Sequence, residues 1–261
     1  MSEEYFRVEN CKCQDNRVII LSMSGHSKWA TIKRQKGITD AKKGQLFTKL
    51  SNAITIAVKS GGGVGDPDKN FKLRLIVDNA KAVNMPKDSI NRAIEKAAGA
   101  GGGEVDELVY EGFAPGGVAI IVETVTDNKQ RTVAVVKSMF DKYGGNLGAM
   151  GSVSYLFVKK GEIIVRKNDK DFEQLLSLGL EAGAEDVVDD QEVAFFYTDV
   201  IKMQKVKQFL EEANISIESA EIGYFPILGI TVDEQTNTRV DNLVEKLTEL
   251  DDVQRVYTNL A

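Results

Sequence analysis

The residues of this chain with the most chemical potential are cations, and they are gathered in one stretch. Residues 23–98 hold fifteen Lys and Arg side chains against six Asp and Glu, a net +9. Residues 99–261 hold fifteen against twenty-nine, a net −14, so the whole-chain value of −6 conceals the division. A positive field confined to one segment draws a polyanion there, and the acidic remainder repels it elsewhere. The matching ligand is a nucleic-acid phosphate backbone. The expected contacts are His26, Lys28, Trp29, Lys33, Arg34, Lys36, Lys42, Lys43, Lys49, Arg74, Lys81, Arg92 and Lys96. His26 suits hydrogen bonding or base stacking. Trp29 is either a core anchor or, among its basic neighbours, a base platform. The plainer alternative is that these lysines are only solvated helix faces. Their concentration in one block stands against it.

Other chemistries find little support. With His26 the single histidine, a His pair is excluded, and nothing around it resembles an activated nucleophile. Cys11 and Cys13, the two cysteines, make no disulfide framework and supply half the ligands of a structural zinc site. Gly61–Gly65 precedes a helix but lacks the Gly-Lys-Ser/Thr ending of a phosphate loop. Gly112–Gly117 sits between two strands, which reads as a hairpin and not as a dinucleotide turn. Acidic pairs such as Glu185-Asp186 and Asp189-Asp190 have the distribution of solvated loops. The expectation is a non-enzyme without metal or cofactor. No apolar run approaches the ~20 residues of a membrane span, and a cytoplasmic, monomeric protein is expected.

The elements that must position the cations read as helices. One starts near Asp40 and buries Leu46, Leu50, Ile54 and Ala57; a second starts at Asp66-Pro67; a third follows Met85-Pro86 and ends at Gly99. The glycine-rich stretch from Gly99 to Gly103 reads as a linker. Beyond them the pattern changes to strands at 108–111 and 118–123, a helix at 128–143 with Val133 and Val136 inward, and a strand pair at 153–158 and 162–166 around Lys159-Lys160-Gly161. Strands and helices then alternate as β-α-β-β-α-β, the ferredoxin-like order. The tail adds a strand at 229–232, a helix at 236–249 and a strand at 253–257. The fold class is therefore α+β: an N-terminal helical domain plus two α/β domains, one ferredoxin-like and inserted into the other. The expected division is an extension at 1–22, a basic helical domain at 23–100, a discontinuous α/β domain of 104–158 plus 226–261, and an inserted domain at 159–225.

Several segments together resemble the YebC family, described as YebC/PmpR-type probable transcriptional regulators. They are Met-Ser-Gly-His-Ser-Lys-Trp (23–29), Ile32 to Lys36, Asp40 to Gly44, Phe47 to Leu50, Asn79 to Ile94, Tyr110-Glu111-Gly112, Thr126-Asp127-Asn128, Arg131-Thr132 and Gly144 to Leu147. The resemblance spans 23–261 and leaves 1–22 outside. It implies three domains and a non-enzymatic role in gene expression. That role is either DNA-binding transcriptional regulation or action on ribosomal RNA at the ribosome, where relatives activate translation or relieve stalling at proline runs. No segment shows a clear helix-turn-helix. The alternative function is a protein-interaction module whose acidic α/β domains bind a protein partner.

Overall fold

The computed structural model describes residues 40–99, 105–168, 170–190 and 192–261, with side chains from Lys43 onward. Three helices come first: α1 (Asp40–Ser60), α2 (Phe71–Ala82) and α3 (Lys87–Ala98). Ile54, Ala57 and Val58 of α1 meet Leu73, Val77 and Ala80 of α2 and Ile90, Ala93 and Ala97 of α3 in a closed apolar core. The start of α2 differs from expectation. Asn70, not Asp66, is its cap. The Asn70 carbonyl oxygen accepts the Leu73 N–H at 3.1 Å, and its amide donates to the Ala57 carbonyl at 2.9 Å. One buried side chain thus closes α1 and opens α2. Asp66 instead ties a turn by accepting the Asp68 N–H.

The remaining elements are β1 (Asp106–Phe113), β2 (Ala119–Thr126), α4 (Lys129–Lys142), β3 (Asn146–Leu147), β4 (Phe157–Arg166), α5 (Phe172–Ala182), β5 (Asp186–Asp190), β6 (Val193–Thr198), α6 (Met203–Glu212), β7 (Ile217–Pro226), α7 (Glu234–Thr248) and β8 (Val253–Thr258). They form two four-stranded sheets. The first has the order β3-β1-β2-β8, with every neighbour antiparallel. Val136 and Phe140 of α4 and Val240, Leu243 and Leu247 of α7 pack on one of its faces. Val133 is 37% exposed, since it stands at the edge of the buried stripe of α4. The second sheet has the order β5-β6-β4-β7, again antiparallel throughout. With α5 and α6 on one face this is the ferredoxin-like arrangement. Leu175, Met203, Val206 and Leu210 fill that face against Ile163, Val165 and Phe196. The protein is thus α+β, with a helical domain and two α/β domains, the ferredoxin-like one inserted into the other.

Two further expectations change. The strand pair around Lys159-Lys160-Gly161 is one strand, β4, which stays in register with β7 from Phe157 opposite Pro226 to Ile164 opposite Ser219. Gly161 is no turn residue. A Cβ there would stand 2.6 Å from Thr198 Oγ1 and 2.8 Å from Met203 Cγ, so its bareness lets α6 begin directly on the sheet. The strand expected at 229–232 reduces to a single parallel bridge between Ile230 and Leu260. Among the described residues no helix is long and apolar enough to cross a membrane.

Candidate nucleic-acid interface

The helical domain has two sides with opposite fates for their cations. On the outer side, Lys87, Arg92 and Lys96 stand exposed on α3. The Arg92 guanidinium donates to the Asp88 carbonyl at 3.1 Å, which aligns it along the helix. Lys81 of α2 is 68% exposed at its side chain and 3.8 Å from Asp78. Lys43 is exposed near the start of α1. The structure thus places Lys43, Lys81, Arg92 and Lys96 at the surface. Lys87 joins them, although the spacing argument passed over it. His26, Lys28, Trp29, Lys33, Arg34 and Lys36, and the side chain of Lys42, lie outside the described residues.

Two expected contacts are engaged within the protein. Lys49 is 5% exposed, and its ammonium donates to the Thr248 carbonyl at the end of α7, 2.5 Å away. Burial pushes it down to about 8, against the attraction of Asp251. Arg74 folds back on its own domain. Its guanidinium donates to the carbonyls of Pro67 and Asp68 at 3.0 and 2.9 Å and to the Asp68 carboxylate at 3.2 Å, fixing the turn ahead of α2. Lys49 is thus withdrawn from solvent, whereas Arg74, 35% exposed at its side chain, is held at the surface by its own turn.

The inner side of the helical domain docks on both α/β domains through polar pairs. Asp78 meets Lys207 of α6 at 2.8 Å, and Lys207 also meets Glu211 at 3.3 Å. Burial opposes charge on Lys207, but Asp78 and Glu211 together hold it above its ordinary value. The Asn79 amide donates to the Ala220 carbonyl and the Glu221 carboxylate of β7. Glu221 in turn meets Arg255 of β8 at 2.9 Å, and Arg255 donates to the Ile222 carbonyl at 2.6 Å. Lys72 faces Glu107 at 3.4 Å. Charge on this inner side is therefore paired across the domain boundary in both senses, Lys72 with Glu107 and Asp78 with Lys207, while Lys87, Arg92 and Lys96 of α3 stand exposed.

The sequence held one sign of this inner side. The apolar residues of α1 cover more than one stripe. Ile54, Ala57 and Val58 serve the helical core, and Leu46, Lys49, Ala53 and Ile56 form a second face toward the other domains. A helix apolar on two faces is buried on two sides, and Lys49 lies in the second. Nothing in the sequence marks Arg255, Asn79 or Lys207 as the residues that join domains.

A basic helical layer on two acidic antiparallel α/β domains defines the class of protein, and comparison with known proteins gives the family. Residues 27–100 match the TACO1/YebC protein N-terminal domain, and residues 105–260 match the TACO1/YebC second and third domain. The chain belongs to the TACO1/YebC family. It is 49% identical over 238 residues to a probable transcriptional regulatory protein of Geobacter sulfurreducens, covering 91% of this chain and 95% of that one. It is 48% identical over 239 residues to a probable transcriptional regulatory protein of Rubrobacter xylanophilus, with the same coverage. The crystal structure of a conserved hypothetical protein from Aquifex aeolicus superposes with a TM-score of 0.82 at 43% identity, covering 90% of this chain and 97% of that one.

Proposed function

We propose that this protein is a non-enzymatic regulator of gene expression that binds nucleic acid through its basic helical domain. The observation that carries the reading is the sorting of charge. On the inner side Lys72 and Asp78 are paired with Glu107 and Lys207 of the α/β domains, and the cations of α3 face solvent in a block of +9 followed by residues 99–261 at −14. The names of the relatives support a regulator. Ribosomal RNA suits the domain better than an operator sequence, because short three-helix packing with scattered lysines offers phosphate contacts but no evident recognition helix. The cytoplasm, a monomeric state and contact with the ribosome complete the reading. A second reading, contact with a protein partner, is favoured by an apolar corner where Met150, Tyr155 and Leu228 are 89%, 67% and 74% exposed.

The test is binding of the full chain to duplex DNA and to a structured ribosomal RNA fragment across a salt series. Arg92→Glu with Lys96→Glu, and separately Lys33, Arg34 and Lys36 to Ala, are expected to weaken binding. Each lost phosphate contact lowers the log–log salt slope by about 0.9 on B-DNA. Lys205→Glu on the exposed side of α6 serves as the control. Equal loss from the control variant would overturn the assignment. Rapid depletion with paired ribosome profiling and transcript sequencing separates the two targets. Pausing at proline runs before transcript changes is expected, and early changes at occupied promoters would place the action on DNA.

A further inference from the structure

Where the three domains meet, packing is incomplete. A cavity of about 310 Å³ lies between α1, α2, β2, β7 and β8. Leu46, Ala53 and Ile56 of α1, with Ile76, Val125 and Ile222, form its apolar wall. Four Lys and Arg side chains and three Glu side chains also line it, a slight positive excess in a negative chain. Two of the cations are matched within the wall, Lys72 by Glu107 and Arg255 by Glu221. The Lys159 ammonium lies 5.0 Å from the centre of the Tyr224 ring, and Lys49 stands at the α7 side.

A backbone irregularity points into this space. β2 and β8 pair at Glu123 with Arg255 and at Thr124 with Val253, so Gln254 is the extra residue of a β-bulge. A bulge re-aims a side chain at the expense of ladder pairing. The Gln254 side chain lines the cavity, its amide nitrogen is buried, and no acceptor of the protein meets it. Leaving a buried donor of this kind unpaired is unfavourable. Apolar walls with a few convergent polar groups are the make-up of a small-molecule site, and the volume falls at the small end of that class.

We propose that this cavity binds a small amphiphilic anion. Its apolar body lies against the Leu46–Ile56 face of α1, and its carboxylate or sulfonate head accepts from the Gln254 amide beside the Lys49 ammonium. Because all three domains line the site, the occupant fastens the helical domain to the α/β pair. The site stands independently of nucleic-acid binding.

The test uses the full chain and two probes, 1-anilinonaphthalene-8-sulfonate by fluorescence and octanoate as its competitor. One saturable site per molecule is expected, with displacement by octanoate. Ala53→Phe, which fills the cavity from a helix position, is expected to abolish binding while circular dichroism and thermal unfolding show a folded protein. Gln254→Leu keeps the shape and removes the donor, and is expected to weaken octanoate binding about tenfold. Three outcomes overturn the proposal: no saturable binding, binding indifferent to both variants, or binding lost on Leu228→Ser at the apolar corner and retained in Ala53→Phe. Should Ala53→Phe not fold, Gln254→Leu and the competition decide alone.

Discussion

Glu111 shows how much one buried carboxylate organises. It sits at 5% exposure in β1, and its two oxygens accept the N–H groups of Gly151, Val153 and Ser154 at 2.9, 2.7 and 2.9 Å. Burial alone would raise its pKa, but the three backbone donors hold the carboxyl below its ordinary 4.5. Its stabilising contribution is therefore complete above that value and is lost as pH falls through the lower folded one. Glu111→Gln keeps the shape and removes the charge, and is expected to cost about 2 kcal/mol of stability at pH 7, read from denaturant unfolding. The variant should also flatten the acid limb of the stability profile. Lys49 gives the same sign in a higher window, from burial instead of hydrogen bonding. Its folded value near 8 lies below the ordinary 10.5, so the unfolded chain binds the extra proton between them and stability rises with pH across that window. Lys49→Met should abolish this rise. Tyr197 and Tyr257, both held above their ordinary range chiefly by burial, contribute equally to both proteins, so the difference between the two unfolding profiles isolates Lys49.

Elements were legible where one face of the pattern met one core, and less so where a residue served two neighbours. The three helices, the hairpin of β1 and β2 and the β-α-β-β-α-β order follow from periodicity alone, because Leu73, Val77 and Ala80 or the all-buried β6 have a single environment. The α2 start did not follow. Asp66-Pro67 has good cap chemistry, but Asn70 also reaches the Ala57 carbonyl, a tertiary bond invisible in the sequence. Asn70→Ala removes both bonds and is expected to lower stability by about 2 kcal/mol, measurable as a shift of the urea midpoint. Lys159-Lys160-Gly161 resembled a turn because two lysines and a glycine are turn-like in isolation. Their place in β4 depends on α6, which arrives forty residues later in the chain and needs the bare Gly161. For the candidate interface, charge patterning singled out Arg92 and Lys96, which stand exposed on α3. It misplaced Lys49 and Arg74, since the partners that claim them, the Thr248 carbonyl and the turn at Pro67–Asp68, emerge only on folding.

At the scale of the molecule the three domains are held by a polar seam, and Arg255 is its centre. Burial would pull the guanidinium down, but Glu221, Tyr257 and Glu123 hold it above its ordinary value, so it stays charged between β7 and β8. Arg255→Met leaves the largely enclosed Glu221 without this cation, and a loss of about 3 kcal/mol is expected in equilibrium unfolding. Adding Glu221→Gln should recover part of it, because the double variant no longer strands a charge. Comparable losses in the single and double variants would mean that the arginine acts by packing alone. The insertion has a temporal consequence. β2 is buried along nearly its whole length and lies between β1 and β8, yet β8 follows it in the chain only after the whole ferredoxin-like unit. Through the synthesis of more than a hundred residues, an apolar strand edge waits without its neighbour while the ferredoxin-like unit between can already close. Nascent chains halted before Val253 should therefore be sticky, recruiting chaperones or one another, and emergence of β8 should end that exposure at once.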